Sequence, residues 1–291
     1  MAGAWIRVRP GAYIDAASAD TPHDAARRVA LARLVALRRQ LTAGYVLSHG
    51  SAALLWGLPL LRTPSGADVI GATHPTGRSR DVRRHVMTLS DSDVVMRHGH
   101  PVTSLERTVV DCAATLGPRA GLVVADAALH LGASRERCQE ILDAMPGHRG
   151  VATARAVIEF ADDGAESPGE SVTRFILLRA GFPPPETQVR VATHLGPFWS
   201  DLGWADWGLL AEYDGRAKYQ AKGSATAAVI DEKRRQDAIE EAGYRVIRVV
   251  AEDVRGPKRL VGRVLRLAPP GTADRLQPRR ALGSCAASTA F

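Results

Sequence analysis

A short acidic hairpin constrains the fold of this chain more than any other segment. Residues 200–215 have the sequence SDLGWADWGLLAEYDG, which predicts two short strands joined by a tight turn at 205–208. Asp201 lies on the first strand, and Glu212 and Asp214 lie two residues apart on the second, so these two share one face of it. Carboxylates are rare in strands and repel one another at close range. Their convergence therefore favours a cation between them.

The spacing across the turn places two of these acids opposite each other. Glu212 follows Asp201 by 11 residues, which allows contact across the hairpin if the turn spans about four residues. Asp206 lies within the turn and is interpreted as a turn former. A divalent metal held by carboxylates would suit phosphodiester hydrolysis, and Lys218 follows closely enough to contact a phosphate or orient a water. The same Glu-x-Asp-Gly pattern also suits a solvated edge strand, which needs no metal.

Composition sets broad limits on the class of protein. A length of 291 residues suggests two modest domains, and the net charge of +7 fits a polyanionic partner such as nucleic acid without requiring one. Three cysteines, Cys112, Cys138 and Cys285, argue against a disulfide framework and for a reducing cytoplasm. The first two are expected to be buried fillers on helices. No apolar run approaches the ~20 residues of a membrane span, so a cytoplasmic protein without membrane association is expected.

The residues before about 163 predict an α+β domain. A strand and turn are expected at 5–13, further strands at 68–73, 83–88 and 93–96, and helices at 23–41, 48–56, 104–116, 118–131, 134–144 and 149–162. The acidic Pro/Gly-containing stretch 161–169 then marks a boundary, so the domains are predicted as 1–163 and 164–268.

The second domain predicts an α/β unit around a central sheet. Its expected order is a helix at 168–180, strands at 187–193, 198–204 and 209–214, a helix at 226–242, a strand at 244–250 and a helix at 257–267. Residues 269–291 are rich in Pro, Gly, Ala, Ser and Arg without periodicity, and a disordered tail is predicted there.

Five motifs follow one another in the second domain. They are Ser-Pro-x-Glu at 167–170, Pro-Pro-Glu-x-Gln at 184–188, Asp-x-x-Trp at 201–204, Glu-x-Asp-Gly at 212–215 and Gly-aromatic-Arg-Val-hydrophobic-Arg at 243–248. This ordered set resembles the restriction-endonuclease-like, or PD-(D/E)xK, nucleases, and more closely the very-short-patch-repair-like endonuclease domains. The resemblance implies an α/β restriction-endonuclease-like domain with a central mixed sheet flanked by helices.

The resemblance also implies an activity and a set of site residues. It implies an endonuclease that hydrolyses DNA with Mg²⁺ or Mn²⁺, with Asp201 and Glu212 as the first-choice metal ligands and Glu170 in support. Asp214 stands where the wider superfamily has a catalytic Lys, and Lys218 stands near the position where the closer subfamily has a His. These five residues form the expected catalytic set.

A basic run on the penultimate helix is the expected DNA contact. Lys233, Arg234 and Arg235 begin the basic side of the helix predicted at 226–242, where they can meet a phosphate backbone.

The first domain carries a second resemblance. The segments Trp5–Tyr13, Leu47–Pro59 and Pro101–Asp111 are similar to parts of abortive-infection type IV antitoxins and related regulators. Trp5–Tyr13 resembles the wing of a winged helix, so residues 1–15 are interpreted as a truncated remnant. A complete winged helix has a recognition helix upstream, so that either the helix has been lost or the true start codon lies earlier. The resemblance implies a cognate toxin or another protein as a partner, besides DNA. The alternative function is therefore a non-catalytic DNA- or protein-binding regulator that uses the nuclease fold as a scaffold.

Two features of the first domain have plain structural interpretations. Ser48 is expected to cap the helix that follows it, and His49 is assigned to the same helix start rather than to a metal. Arg107 and Asp111 lie four residues apart on one predicted helix and are expected to form an ion pair.

Overall fold

The chain folds into two compact units, which divide between Glu159 and Phe160. The computed structural model describes residues 5–16, 21–38, 44–71, 81–215 and 225–283. The division lies four residues before the boundary that the sequence predicts. Lys218, Cys285 and the last residues of the predicted tail lie outside the described residues.

Within the described residues, unit 1 combines a hairpin, a mixed sheet and six helices. The hairpin pairs β1 (Trp5–Arg9) with β2 (Ala12–Asp15). The sheet strands are β3 (Tyr45–Leu47), β4 (Ala67–Gly71), β5 (Val82–Val86), β6 (Val94–Arg97) and β7 (His100–Thr103), in the spatial order β5-β4-β3-β7-β6. The helices are α1 (Pro22–Arg38), α2 (His49–Trp56), α3 (Leu105–Thr115), α4 (Pro118–His130), α5 (Arg135–Asp143) and α6 (Val151–Phe160), whose last residue lies across the unit boundary.

The predicted helices of unit 1 are confirmed, but three strands, β2, β3 and β7, were missed. The Ser104 hydroxyl accepts from the Arg107 N–H and so caps α3, as a Ser before an apolar run predicts. The first residues of β2 were assigned to the turn after β1, β3 has only three residues, and β7 contains Pro101, which disfavours a strand. Cys112 and Cys138 are buried in the helical layer, as predicted.

Unit 2 is built on a mixed four-stranded sheet in the part of the chain that the structure describes. Its elements are α7 (Pro168–Ala180), β8 (Glu186–Thr193), β9 (Gly196–Trp204), β10 (Leu209–Tyr213), α8 (Ala225–Glu241), β11 (Arg245–Val249), α9 (Ala251–Arg255), α10 (Pro257–Leu267) and α11 (Thr272–Arg275). The spatial order is β11-β10-β9-β8, with β10 and β11 parallel and the other pairs antiparallel. The predicted mixed sheet flanked by helices is therefore present; α9 and α11 were not predicted.

The two faces of this sheet are covered by different helices. Ile239 of α8 packs against Val189, Val191 and Leu210 on one face. Successive side chains of a strand point to opposite faces, so Ala211 and Tyr213 of β10 face the other side, where α7 contacts β9 and β10. Successive side chains of β10 therefore point to opposite faces of the sheet, and the Glu212 side chain points to the face that α8 covers.

The predicted disorder from residue 269 is wrong for residues 269–283. Leu282 is fully buried, and the Arg279 guanidinium donates to the carbonyl oxygens of Leu178 and Phe182. The same guanidinium lies 4.9 Å from the centre of the Phe160 ring. These contacts hold an irregular segment that has no hydrophobic period, so sequence periodicity could not reveal them.

None of the helices in the described ranges combines the length and the apolar character that crossing a bilayer requires.

Candidate functional site

The register of β9 and β10 brings two of the predicted acids to opposite positions. Leu202 pairs with Ala211 at the end of the antiparallel ladder, so the next residues outward, Asp201 and Glu212, face each other across the strands. The turn between the strands is a single 3-10 turn at Ala205–Trp207. Gly208 closes it with φ of 54°, a left-handed conformation that suits glycine. The hairpin and its cross-strand acid pair are thus as the spacing predicts.

Asp201 has a backbone partner on the neighbouring strand. Its Oδ2 accepts a hydrogen bond of 2.7 Å from the Tyr213 N–H. The carboxylate therefore takes the place of a carbonyl where the ladder ends, and it fixes the end of β10. Asp214 continues the backbone pairing on the other side, because its N–H donates to the Val249 carbonyl at 2.8 Å.

Glu212 is held by an arginine from α8. Arg235 donates from both terminal nitrogens, at 2.9 Å to Oε1 and 2.7 Å to Oε2, which is a bidentate pair. The Glu212 side chain keeps 12% of its exposure and the Arg235 side chain 22%, so the pair is reachable from solvent. Hydrogen bonding to Glu212, followed by bonding to Glu232, raises the pKa of Arg235 above its usual value.

A second acid and a second arginine extend this pair into a network. Glu232, one turn before Arg235 on α8, accepts from both Arg235 and Arg248. Burial acts to raise the pKa of Glu232, but these hydrogen bonds outweigh it and the pKa is lowered. Arg248 Nη2 also lies 4.0 Å from Glu212 Oε2. Two acids and two arginines thus balance each other beside the open end of the sheet.

Glu170 lies in the first turn of α7, the helix that contacts β9 and β10. The Ser167 hydroxyl accepts from the Glu170 N–H, and the Glu170 carboxylate accepts from the Glu166 N–H at 2.8 Å. Reciprocal bonds of this kind stabilise a helix N-terminus. A Cβ on Gly169 would overlap the Tyr213 ring, which therefore packs directly on this first turn. Glu170 is buried as part of the cap.

The remaining predicted site residues are placed as follows. Lys233 and Arg234 are exposed on α8, and Arg234 Nη1 lies 3.9 Å from Asp231 Oδ1. Among the described residues, no three His, Cys, Asp or Glu side chains are grouped so as to hold a metal ion. The structure thus places Asp201 and Glu212 at opposing positions, pairs Arg235 with Glu212, and holds Glu170 in the cap of α7.

Gln188 is a feature of the site that sequence reasoning missed. Thr187 pairs with Leu202 and Val189 pairs with Ser200, so Gln188 comes opposite Asp201. Its φ is 48°, in the left-handed region that non-glycine residues rarely adopt. Its position in the Pro-Pro-Glu-x-Gln motif was the available signal, although that motif gives no indication of backbone strain.

Unit 1 contains a separate polar cluster, of which the Arg107–Asp111 pair is sealed from solvent and His85 is partly exposed. His49 and His85 stack with ring centroids 3.7 Å apart, and His85 Nε2 lies 3.0 Å from Asp68 Oδ1. His49 has φ of 50° and its Nδ1 bonds the Ser48 hydroxyl at 2.9 Å. Ser48 occupies the N-cap position of α2 but makes no side-chain cap hydrogen bond, so its predicted capping role is wrong. Its hydroxyl is used by the histidine instead.

The predicted ion pair of α3 forms the base of this cluster. Arg107 Nε donates to Asp111 Oδ1 at 2.9 Å, and Arg107 Nη1 lies 3.4 Å from Asp93 Oδ2. Burial raises the pKa of Asp111 to about 6, against the opposing charge of Arg107. Burial, followed by the neighbouring His85, lowers the pKa of His49 to about 3. The expected pair is confirmed and is almost completely buried.

Comparisons with known proteins place the chain beside two relatives. Uncharacterized protein MT2308 and uncharacterized protein Rv2248, from two strains of Mycobacterium tuberculosis, are each 32% identical to it over 171 residues. The alignment covers 58% of this chain and 62% of each relative, so the chain spans less than two thirds of the length of these relatives. No family model matches the chain. No solved structure matches it either.

Proposed function

We propose that unit 2 is a Mg²⁺-dependent DNA endonuclease domain with a restriction-endonuclease-like fold. The observation that carries the proposal is the opposition of Asp201 and Glu212 across the open end of the β9–β10 ladder. The mixed sheet with α7 before it and α8 between β10 and β11 agrees with the architecture that the sequence resemblance implies.

The oxygen atoms of the two hairpin acids are the type of ligand that a hard cation binds. Mg²⁺ prefers oxygen ligands and usually takes one or two carboxylates, with waters and substrate phosphates completing its shell. Asp201 and Glu212 would supply those carboxylates. The Arg235 guanidinium occupies both oxygens of Glu212, so an ion would have to compete with it for this carboxylate. When bound, the ion would stabilise the charge that develops on the phosphate during hydrolysis.

The chain's own residues have distinct parts in this proposal. Asp201 holds the end of β10 through the Tyr213 N–H and so fixes the spacing of the two acids. Arg235 and Arg248 lie beside Glu212, where they can receive a DNA phosphate once Glu212 engages a metal. Glu232 keeps both arginines in place meanwhile, because it accepts from each of them. Glu170 has a positioning role through the cap of α7.

Cleavage of plasmid DNA tests the proposal. The purified protein should nick or linearise supercoiled plasmid with Mg²⁺ or Mn²⁺, and Asp201→Asn and Glu212→Gln should each lose at least about 100-fold in rate, as removal of a key electrostatic group commonly does. Asp206→Asn is the matched control, since Asp206 is exposed in the same hairpin and lies in the turn. Equal activity in all four proteins would reject the assignment.

A non-catalytic regulator is the second candidate, and one observation favours it. Both oxygens of Glu212 are already satisfied by Arg235, and Asp214 replaces the catalytic Lys that the nuclease resemblance leads one to expect. In that case the hairpin acids serve the scaffold, and the protein binds DNA or a protein partner without cleavage. Binding to duplex DNA that is unaffected by Mg²⁺, with no cleavage, would support this candidate over the first.

A further inference from the structure

Helix α10 has an unusually one-sided charge. Its eleven residues include four basic residues and no acidic one. The basic residues are Lys258, Arg259, Arg263 and Arg266. By contrast, α8, on which the sequence places the DNA contact, has three basic residues and five acidic ones. The local charge therefore favours a polyanion at α10 and opposes one at α8.

The basic residues of α10 are segregated from its apolar side. Leu260 and Val264 are fully buried and fix the inward face of the helix. With 100° per residue, Lys258, Gly262 and Arg266 follow one another at intervals of four on the opposite, outward face. Lys258 and Arg266 are exposed.

Two more arginines of α10 have different roles. Arg263 donates to the Arg248 carbonyl and pairs with the buried Asp253, so it ties α10 to the sheet. Arg259 also contacts Asp253, but its side chain remains 62% exposed. Arg259 therefore adds to the outward face, whereas Arg263 does not. We call Lys258, Arg259, Gly262 and Arg266 the α10 basic face.

The surrounding sequence strengthens the charge asymmetry. Residues 244–283 contain ten Lys and Arg against three Asp and Glu, an excess of seven. That excess equals the net charge of +7 of the whole chain. The positive charge of the protein is thus concentrated in its last described 40 residues, with α10 at their centre.

We propose that the α10 basic face binds the phosphate backbone of double-stranded DNA. Lys258 and Arg266 lie ~12 Å apart along the helix axis, a length over which one DNA strand presents about three to four phosphates. Gly262 between them has no side chain, and a Cβ there would meet only the Arg266 guanidinium at 3.9 Å, so a backbone can approach closely. The choice of DNA as the polyanion rests on the proposed function.

An anionic membrane is the weaker match to the same charge. Amphipathic helices bind membranes by burying their apolar side in the lipid. The apolar side of α10 is already occupied, because Leu260 and Val264 have no exposure. The exposed side chains that remain on α10 are mainly cationic, with Val261 and Leu265 only partly exposed, which suits a phosphate backbone better than a lipid interior.

The salt dependence of DNA binding tests this proposal. The affinity of the full chain for a 20-base-pair duplex is measured by fluorescence anisotropy in EDTA over a KCl series. The triple variant combines Lys258→Gln, Arg259→Gln and Arg266→Gln. It should make the negative slope of log K against log salt shallower by about 2 to 3, since each phosphate that the variant no longer neutralises accounts for about 0.9. The matched control is Arg62→Gln with Arg149→Gln and Arg190→Gln, which removes the same charge from exposed positions outside α8 and α10 and should keep the wild-type slope.

The outcomes separate this proposal from the proposed function. An equal reduction of the slope in both triple variants, no reduction in either, or stronger binding of phosphatidylserine vesicles than of DNA would overturn the role of α10. Lys258→Gln with Arg266→Gln leaves the Arg259–Asp253 pair intact and repeats the test if the triple variant is unstable; it should lower the slope by about 2. DNA binding through α10 without any cleavage would contradict the nuclease proposal alone.

Discussion

The two units contain similar sets of charged side chains in very different surroundings. In unit 1 the Arg107 and Asp111 side chains keep 3% and 0% of their exposure, and the stacked histidines lie beside them. In unit 2 the Glu212, Arg235 and Glu232 side chains keep 12%, 22% and 41%. The Arg107–Asp111 pair is therefore closed to solvent, whereas the Glu212–Arg235 pair at the end of the sheet keeps some contact with it.

Burial also changes what each cluster contributes to the protein. A buried ion pair loses much of its attraction to desolvation, and removing one partner leaves the other without compensation. A half-exposed network is worth little to stability but can exchange partners with a solvent ion. The residue types alone therefore do not identify a functional site, since access to solvent decides between the structural and the chemical role.

The largest expected effect is on the sealed cluster. Arg107→Ala should destabilise unit 1 by about 3 to 5 kcal/mol, because it leaves Asp111 buried without its cation, whereas Asp93 keeps Arg137 as a second partner. Hydrogen exchange of the α3 amides measures this destabilisation for unit 1 separately. Arg155→Ala, which removes an exposed partner of Asp143 in the same unit, should cost no more than about 1 kcal/mol. Similar destabilisation in the two variants would contradict the contrast between sealed and open pairs.

The pH dependence of unit 1 gives the next test. The raised pKa of Asp111 means that the folded state holds this proton more tightly, so stability falls as the pH rises from about 4 to about 6. The lowered pKa of His49 has the opposite effect: its contribution is complete above pH 6.5 and is lost as the pH falls towards about 3. Between pH 4 and 6 the two contributions oppose each other.

Replacing His49 should reveal how the Asp111 carboxyl group alone changes the stability of unit 1 with pH. In His49→Asn the stability of unit 1 should fall by about 1.4 kcal/mol per unit as the pH rises from 4 to 6, whereas the wild type stays nearly flat. Asn tolerates the left-handed backbone at this position. His98→Asn is the control, because His98 has φ of 48° but is exposed. A flat profile in His49→Asn would show that Asp111 does not titrate in this range.

The Glu212–Arg235 network of unit 2 predicts a smaller effect, in which removing an arginine strengthens ion binding. Arg235→Gln should raise the affinity of unit 2 for Mg²⁺ by about fivefold, roughly 1 kcal/mol, since the arginine competes with the ion for Glu212. Isothermal titration measures this without DNA. Arg234→Gln removes the same charge from the neighbouring residue, whose Nη1 lies 3.9 Å from Asp231 Oδ1. This control should leave the affinity for Mg²⁺ unchanged. Weaker binding in Arg235→Gln would mean that the arginine supports the ion.

Much of the fold could be predicted because the sequence carries local signals for it. Ser104 and Ser167 cap α3 and α7, and the Gly208 turn sets the hairpin register. The irregular segment around Arg279 could not be predicted, because its order depends on carbonyl groups 97 and 101 residues away in the chain.

The candidate site was predictable only in part. The opposition of Asp201 and Glu212 follows from hairpin spacing, which is a local property. The bidentate hold of Arg235 on Glu212 joins residues 23 apart through the packing of α8 on the sheet, so only the tertiary structure reveals it. The same packing pairs Arg235, a predicted DNA contact, with an acid of the protein itself. Glu170 shows the converse, because its capping bond to Glu166 explains a residue that the resemblance assigned to the metal.

Binding of Mn²⁺ in the absence of DNA tests the central claim most directly. Electron paramagnetic resonance counts the bound ions, and the wild type should bind one Mn²⁺ that is lost in Asp201→Asn and in Glu212→Gln but kept in Asp206→Asn. Asp111→Asn, in the sealed cluster of unit 1, should also keep it. Absence of binding in the wild type, or binding that survives both hairpin substitutions, would contradict the assignment of the β9–β10 acids as a cation site.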